Sequence, residues 1–385
     1  MDLTLSEEQQ FLTDTVRQMC EAGCDSDAVR LAEERGKAFP ESLWKHLSAS
    51  GLLGLTLPEQ FGGAGVGLTE MCLVAQELGR FAAPLTPIVS SVLAGGILMR
   101  ATSAHEQNTW LPRIASGEAL LSVAWLEEGG SYGAGDINVV ADVAGERIRL
   151  HGSKTLVPFA DRAAAFVVPV RSGPETEDID LYLVPAGPGV ASTSQRTLAG
   201  ESVHRLDIDV ELSARDRLSE PGHGWQILHQ SMTEAAIVFA AYACGGARKV
   251  LELATDYAKT REQFGRPIGA NQGIAHPLAD TLVAVEGAST LMFEAAWSRD
   301  AGRDIRLLAA MAKHRCCEAF RDATAVAHQV HGGIGYTLDI DIQLYSRRAK
   351  QLQLTWWDNR FLSSHLANLL LDENGPGLPP PVIER

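Results

Sequence analysis

The residues best suited to chemistry in this chain begin with an arginine at the end of a long helical pattern. Arg261 is followed by Gln263 and Phe264 and, after a glycine and a proline, by Gln272. A planar guanidinium can hold two oxygens of a diphosphate, and a nearby amide and aromatic ring suit the rest of a nucleotide of the flavin dinucleotide type. The alternative is that Arg261 only stabilises the carboxyl end of its helix before a glycine stop.

A second candidate is the glycine-rich run that starts at Gln329 and follows another helical pattern. Gly332 and Gly333 are adjacent, so the backbone can turn sharply there and offer amide groups to a polar ligand. Helix termination alone needs only one glycine. His328 and His331 have a spacing seen at metal sites, but no carboxylate or cysteine stands at a ligand interval on the same face, and the sequence therefore predicts no metal site.

Composition excludes several classes of function. Lys and Arg total 33 against 48 Asp and Glu, and a net charge of -15 repels nucleic acids and anionic lipid heads. The six cysteines are scattered, so a disulfide framework is not expected, and Cys20 and Cys24 are best interpreted as helix filler. The chain shows neither a long uncharged apolar run nor an export signal at its start. We therefore expect a cytoplasmic globular protein without membrane insertion.

Helical patterns position the candidate residues at both ends of the chain. Ser6 and Gln9 form a capping box that starts the first helix. Apolar residues recur at helical spacing in further segments: 41–48, 68–81, 87–99, 225–260, 275–301, 305–330 and 342–371. The last four are far longer than an average helix, which favours a bundle of helices packed side by side. The prolines from Gly375 onward predict a tail.

The middle of the chain shows the alternating pattern of β-strands. Residues 139–143 and 147–151 alternate apolar and polar side chains around a turn at Ala144 to Glu146, which predicts a hairpin. Further strands are predicted at 164–170, 178–184 and 203–212. The pattern indicates an α+β protein with a helical domain at 1–120, a small β-barrel or sheet domain at 121–216 and a four-helix bundle domain at 217–385.

Together these features resemble the acyl-CoA dehydrogenase family over essentially the whole chain. The resemblance rests on three stretches in family order: the glycine-rich turn at 57–65, the run at 257–268 and the run at 329–337. It implies FAD as cofactor, with Arg261, Gln263, Phe264, Gln272, Gln329, Gly332 and Gly333 contacting the adenosine and diphosphate part of a coenzyme held mainly by a neighbouring subunit.

The family likeness also implies an assembly and a reaction. A dimer or a dimer of dimers is expected, and the substrate is an acyl-CoA thioester that loses an α-proton to a base and a β-hydride to the flavin. Electrons then pass to an electron-transfer acceptor. None of these expectations comes from composition or periodicity.

The sequence departs from the family where the base is expected. Most members carry a catalytic glutamate at the position of Trp356, and an indole cannot take the α-proton. Asp358 lies two residues on and is better interpreted as a helix cap. In a second branch of the family, the base lies early in the long helix, about a dozen residues after a Gly-Trp pair. Counted from Gly224 and Trp225, that place is taken by Ala235 and Ala236. Glu234 lies one residue earlier and is a candidate base if the helix start is offset.

The predicted β domain departs as well. Hydroxyl side chains that the family places beside the flavin ring are replaced by Leu126 and Pro158. Some bacterial relatives with similar glycine runs act as one half of a heteromeric pair, often on bulky thioesters such as sterol side chains. The preferred prediction is therefore a heteromeric dehydrogenase subunit. The alternatives are a self-sufficient homotetramer that uses Glu234 and a subunit that completes a partner's FAD site without catalysis of its own.

Overall fold

The computed structural model describes residues 4–371 except Ala38 and Glu146. The predicted tail and the last residue of the predicted turn before Arg147 lie outside the described residues. The helices are α1 Glu7–Gly23, α2 Ser26–Glu34, α3 Glu41–Ala49, α4 Leu68–Arg80, α5 Gly95–Arg100, α6 Ala104–Ala115, α7 Gly224–Thr260, α8 Gln272–Asp300, α9 Arg306–His331, α10 Ile342–Leu354 and α11 Asn359–Leu371. A π-helical segment, Ile88–Ala94, leads into α5.

Between α6 and α7 the described chain forms one mixed sheet of seven strands. The strands are β1 Leu121–Val123, β2 Val140–Ala144, β3 Arg147–Pro158, β4 Ala165–Arg171, β5 Ile179–Pro185, β6 Val190–Gln195 and β7 Val203–Ser213. The order across the sheet is β1-β4-β2-β3-β7-β6, and β5 also pairs with β4. A short hairpin of β8 Glu262–Gln263 and β9 Arg266–Pro267 connects α7 to α8.

The local signals explain where most elements begin. The Ser6 side chain accepts from the Gln9 backbone and Gln9 returns the bond, so the predicted capping box starts α1. The helices α7, α8, α9 and α10 pack against one another as the predicted bundle, with buried alanines along α7 and α9 that permit close approach. The predicted α+β class and its three-part order are confirmed. None of the helices in the described part of the chain combines the length and apolar character needed to cross a bilayer.

Two sequence predictions about elements are wrong in detail. The predicted single helix from 342 to 371 is two helices, because the chain breaks at Thr355 to Asp358. Trp356 and Trp357 there have φ of 53° and 64°, a left-handed conformation that no helix continues through. Strand β3 also runs seven residues beyond the predicted end at His151, and β1 and β6 were not predicted. Both missed strands are short, and β6 lies at a sheet edge with a largely exposed polar face.

Candidate functional site

Three residues that the family likeness places near the flavin ring meet at one cavity. Leu126 follows β1, Pro158 ends β3 and Trp356 follows α10, and all three line a partly open cavity of about 60 Å³. The sequence prediction that these positions converge is thus matched by the geometry. We call this space the Trp356 cavity.

The Trp356–Trp357 turn fills the side of the cavity where a base is expected. The Trp356 ring stacks on Phe239 of α7 with centroids 5.7 Å apart and an interplanar angle of 9°. Trp357 is fully buried. Two successive bulky residues in the left-handed region are strained, and such strain persists only where packing over-determines it. The turn is therefore held by its aromatic contacts.

Two further aromatic residues form the opposite wall. Trp125 and Tyr132 line the cavity and contact each other edge to face at 5.6 Å. The Tyr132 hydroxyl hydrogen-bonds the backbone of Trp356, and burial raises the pKa of this phenol well above its usual value. Tyr132 is consequently a neutral phenol whose oxygen accepts from the Trp356 backbone and helps to fix the turn.

The carboxylate that lines the Trp356 cavity is Glu201, which the sequence reasoning missed. Its Oε1 accepts from Arg348 Nη1 at 3.0 Å and from the Leu85 backbone amide at 3.2 Å, and its Oε2 accepts from Gln351. Arg348 also pairs with Glu33 at 3.2 Å. Donors therefore occupy both oxygens of the Glu201 carboxylate. Glu201 is therefore a structural anion in a buried ionic network.

Leu126 is positioned by a buried ion pair directly behind it. Lys154 is completely buried on β3, and its Nζ lies 2.7 Å from Glu127 Oε1 and 2.7 Å from the Pro169 carbonyl oxygen. Burial lowers the pKa of Lys154 to about 8, opposed by the charge of Glu127. Glu127 also accepts from the backbone amides of Asn138 and Val139. The segment after β1 is thus tied to the sheet on both sides.

Glu234, the predicted alternative base, lies in a different cavity. Its Oε1 is 2.9 Å from Arg100 Nη2 and 3.0 Å from Arg299 Nε. The three side chains line a cavity of about 380 Å³ between α5, α7 and the end of α8. Leu57 and Pro58 of the first glycine-rich stretch line the same cavity, so that stretch belongs to this site and not to the Trp356 cavity.

The geometry of α7 explains the separation. Each residue turns the helix by about 100°, so Glu234 points about 140° away from Phe239 and from His229. Phe239 and His229 contact Trp356 and Trp357, with ring centroids 5.7 Å and 5.0 Å apart. The two predicted base positions, Trp356 and Glu234, are therefore on opposite sides of one helix. That Glu234 acts as a base stays a prediction, and its contacts are those of an interdomain ion pair.

The two stretches predicted to bind a nucleotide meet at the far end of the helical bundle. Tyr257, in the last turn of α7, stacks on His331, the last residue of α9, with ring centroids 4.3 Å apart. This contact brings Arg261 and Gly332 to the same end of the molecule. Gly332 has φ of 63°, and a Cβ at Gly332 or Gly333 would meet no atom within 4 Å. The backbone there faces open space.

All seven residues predicted to bind the cofactor are exposed. They are Arg261, Gln263, Phe264, Gln272, Gln329, Gly332 and Gly333. The Phe264 side chain is 97 % exposed at the tip of the β8–β9 hairpin. The Arg261 guanidinium has no hydrogen bond or ion pair with any described residue. These groups are available to a ligand or to a neighbouring chain.

The two histidines that suggested a metal spacing have other partners. His328 Nε2 lies 2.8 Å from Ser346 Oγ, and His331 Nδ1 lies 2.8 Å from the Ala327 carbonyl oxygen. His328 stacks on Tyr336, whereas His331 stacks on Tyr257. No group of three or more metal-ligating side chains is present among the residues described. Asp358 accepts from the Phe361 backbone amide at 2.8 Å and caps α11, as predicted.

Comparison with known proteins gives a consistent picture. The model of the acyl-CoA dehydrogenase N-terminal domain matches residues 6–118, and that of the acyl-CoA dehydrogenase C-terminal domain matches residues 222–355. The chain is 32% identical over 365 residues to the acyl-CoA dehydrogenase FadE27 of Mycobacterium tuberculosis, covering 92% of this chain and 94% of that protein.

Solved structures are similar over nearly the full length. A chain of the ChsE4-ChsE5 complex from Mycobacterium tuberculosis superposes with a TM-score of 0.86 at 31% identity, covering 96% of this chain and 98% of that one. Butyryl-CoA dehydrogenase from Megasphaera elsdenii superposes with a TM-score of 0.91 at 23% identity, covering 97% and 100%. The second likeness concerns the fold alone.

Proposed function

Because this chain belongs to the acyl-CoA dehydrogenase family, we propose that it is one subunit of a heteromeric enzyme that oxidises an acyl-CoA thioester between its α and β carbons. The family consists of oxidoreductases that act on CH-CH bonds, and FAD is the cofactor. Bound FAD supplies a hydride acceptor, whereas the protein must supply the base that takes the α-proton. In this proposal the base comes from a related partner subunit.

The observation that carries the proposal is the Trp356 turn. Trp356 occupies the base position and stacks on Phe239, so the Trp356 cavity has no free proton acceptor on that side. The nearby carboxylate of Glu201 is already bound by Arg348 and Gln351. A chain with this arrangement needs a base from elsewhere to perform the family reaction.

The two halves of an FAD molecule fit this chain unequally. At the far end of the bundle, Arg261 is exposed and unpaired and the Gly332–Gly333 backbone is open, which suits a diphosphate and an adenosine. The Trp356 cavity is walled by Leu126 and Pro158, which offer no hydroxyl at the two positions where the family likeness places donors beside the flavin ring. The chain is thus suited to complete a coenzyme site whose ring lies in another subunit.

The similarity to a chain of a two-component complex supports the heteromeric assembly. We further propose a dimer or dimer of dimers, with the exposed apolar side chains around Phe264, Tyr336 and Leu338 at the contact. A cytoplasmic location, an acyl-CoA substrate and an electron-transfer acceptor belong to the same proposal. The acidic net charge of -15 favours small-molecule and protein partners over nucleic acid.

The test is to purify the full chain alone and together with a related family member from the same genome. Flavin absorbance per chain and its bleaching by acyl-CoA are measured. We expect little flavin and no bleaching for the chain alone, and both signals for the complex. A yellow chain that is bleached without a partner would overturn the heteromeric proposal and favour the homotetramer that uses Glu234.

A variant of this chain tests the shared site directly. Arg261→Gln removes the guanidinium but keeps an amide, and we expect the FAD content of the complex to fall at least about tenfold, as for loss of a charge-assisted phosphate contact. Arg149→Gln is the control, because Arg149 is an exposed arginine of the sheet paired with Asp209. Equal FAD content in both variants would contradict a cofactor role for Arg261.

A further inference from the structure

A serine, a histidine and an aspartate are joined by hydrogen bonds at the β6 side of the sheet. Strands β6 and β7 are antiparallel with Ser194 opposite His204, which brings Ser192 diagonally across from the histidine. Ser192 Oγ lies 2.8 Å from His204 Nδ1. His204 Nε2 lies 3.1 Å from Ser202 Oγ and 3.5 Å from Asp161 Oδ1. Ser202 Oγ in turn donates to Asp161 Oδ1 at 2.5 Å.

The hydrogen bonds of Ser202 set the direction of this chain of contacts. An ionised carboxylate can only accept, so Ser202 gives its single proton to Asp161. Ser202 Oγ must then accept from His204, which places the imidazole proton on Nε2. His204 Nδ1 is left as an acceptor for the Ser192 hydroxyl. A serine that donates to an unprotonated histidine nitrogen has the arrangement of a nucleophile with its general base.

Burial differs along these residues in the way that a reactive serine requires. His204 and Ser202 are buried, so the imidazole is held in one orientation by its two hydrogen bonds. Ser192 is exposed on β6, which lies at the edge of the sheet. A substrate can therefore reach the hydroxyl while the base behind it stays fixed.

A charged groove adjoins the histidine. It has a volume of about 530 Å³, lies between the end of α2 and strands β6 and β7, and is lined by Ser202 and His204 among others. Charged side chains of both signs line it as well: Glu33, Glu34, Arg35, Arg196 and Glu201. Such a wall favours a small polar molecule over a long apolar chain, because charges beside an apolar chain would lose water without gaining a partner.

We propose that Ser192 is a catalytic nucleophile for the hydrolysis of small polar carboxylic esters, with His204 as its general base and Ser202 and Asp161 as positioning residues. Ser192 Oγ bonds to the ester carbonyl carbon while its proton moves to His204 Nδ1. The bond from that carbon to the alcohol oxygen then breaks, and Nδ1 gives the proton to the departing alcohol. Water, deprotonated by Nδ1, cleaves the acyl-serine, releases the acid and restores Ser192.

The experiment uses the full chain with 4-nitrophenyl acetate as the ester. Nitrophenol release is measured, and mass spectrometry of peptides from acid-quenched samples locates the acetyl group. We expect acetylation of Ser192. Ser192→Ala should remove this label and lower turnover at least about tenfold, and His204→Gln should do the same, since a positioned general base contributes at least this much. Ser194→Ala is the matched control, because Ser194 is an exposed serine of the same strand without a side-chain hydrogen bond to any described residue.

Asp161→Ala tests the positioning role separately. Asp161 is exposed, so the variant should fold, which circular dichroism checks. Without the carboxylate, Ser202 can donate to His204 and the histidine proton is no longer held on Nε2, so kcat should fall about fivefold while KM is unchanged. An unchanged kcat would overturn the roles of Ser202 and Asp161. Acetylation only at other residues, full turnover by Ser192→Ala, or no turnover by the unaltered chain would each overturn the inference. The assay contains neither FAD nor a partner subunit, so its outcome is independent of the proposed function.

Discussion

The two ends of α7 differ in burial, because one end is packed in an aromatic cluster and the other is exposed. Its first half packs Trp225, His229 and Phe239 into a buried aromatic cluster with Trp356 and Trp357. Its last turn ends at the exposed Arg261, and Phe264 beyond it is almost completely exposed. The side chains predicted to contact a cofactor are exposed at one end of the helix, whereas the position predicted for the base is packed among aromatic rings at the other end. Substitutions at the two ends should therefore affect different properties.

The largest effect is expected for Trp356→Ala. Removing a buried aromatic ring should lower the free energy of unfolding by about 3–5 kcal/mol, measured by urea denaturation, because a cavity replaces the stacked indole. Trp356→Gly should lose about 1 kcal/mol less than the alanine variant, since the backbone there has φ of 53°. The FAD content of the complex should stay unchanged in both. Loss of FAD would contradict the separation between the two ends.

The second prediction concerns pH and the aromatic cluster. Burial, helped by the nearby charges of His365 and Arg306, lowers the pKa of His229 from 6.5 to about 4. Between these values the unfolded chain binds more protons than the folded one, so the free energy of unfolding should fall as the pH drops from 6.5 to 4, by up to about 3 kcal/mol. His229→Phe should remove most of this slope in urea unfolding curves. An unchanged slope would show that another group is responsible.

A smaller effect is expected for Glu234→Gln. The change removes the charge that holds Arg100 and Arg299, and we expect the free energy of unfolding to fall by about 1–3 kcal/mol. Turnover of the proposed heteromeric enzyme should remain, because Glu234 lies on the side of α7 away from Trp356. If α-proton exchange is lost while stability is preserved, Glu234 is the base. That result would contradict the assignment of the expected reaction site to the Trp356 end of α7.

The smallest effect on stability is expected for Phe264→Ala. The side chain is 97 % exposed, so the free energy of unfolding should change by less than about 0.5 kcal/mol. The affinity of the complex for FAD should fall by up to about tenfold, the value of one aromatic contact. Val143→Ala, which alters an exposed residue of β2, is the control. A large loss of stability would show that Phe264 is not a surface contact.

Much of the fold follows from local signals. Capping predicted the start of α1. Helical periodicity predicted α4, α7, α8 and α9 to within a few residues, and alternation predicted β2, β4, β5 and β7. The break at Trp356 was not predicted, because tryptophan rarely adopts a left-handed conformation and its contacts with the distant residues Phe239 and Tyr132 hold it there. The likeness to a family placed Leu126, Pro158 and Trp356 at one site, and their common cavity agrees with it.

The role of Glu201 could not be predicted from the chain alone. It lies in the segment between β6 and β7, and its partners, Arg348 and Gln351, are about 150 residues away. The pair Arg347–Arg348 on a largely buried helix could have indicated nearby carboxylates, since buried guanidinium groups need partners. Which carboxylates these are depends on the packing of three segments.

By itself the amino-acid sequence determined the kinds of element, their order and the absence of a base at Trp356, because periodicity, caps and residue chemistry act over a few neighbouring positions. The tertiary structure alone decided that Glu234 faces away from Trp356, that Glu201 is bound by Arg348, and that Trp125 and Thr197 share a cavity. These are relations between distant segments. They depend on helix rotation and domain packing, which local sequence signals do not specify.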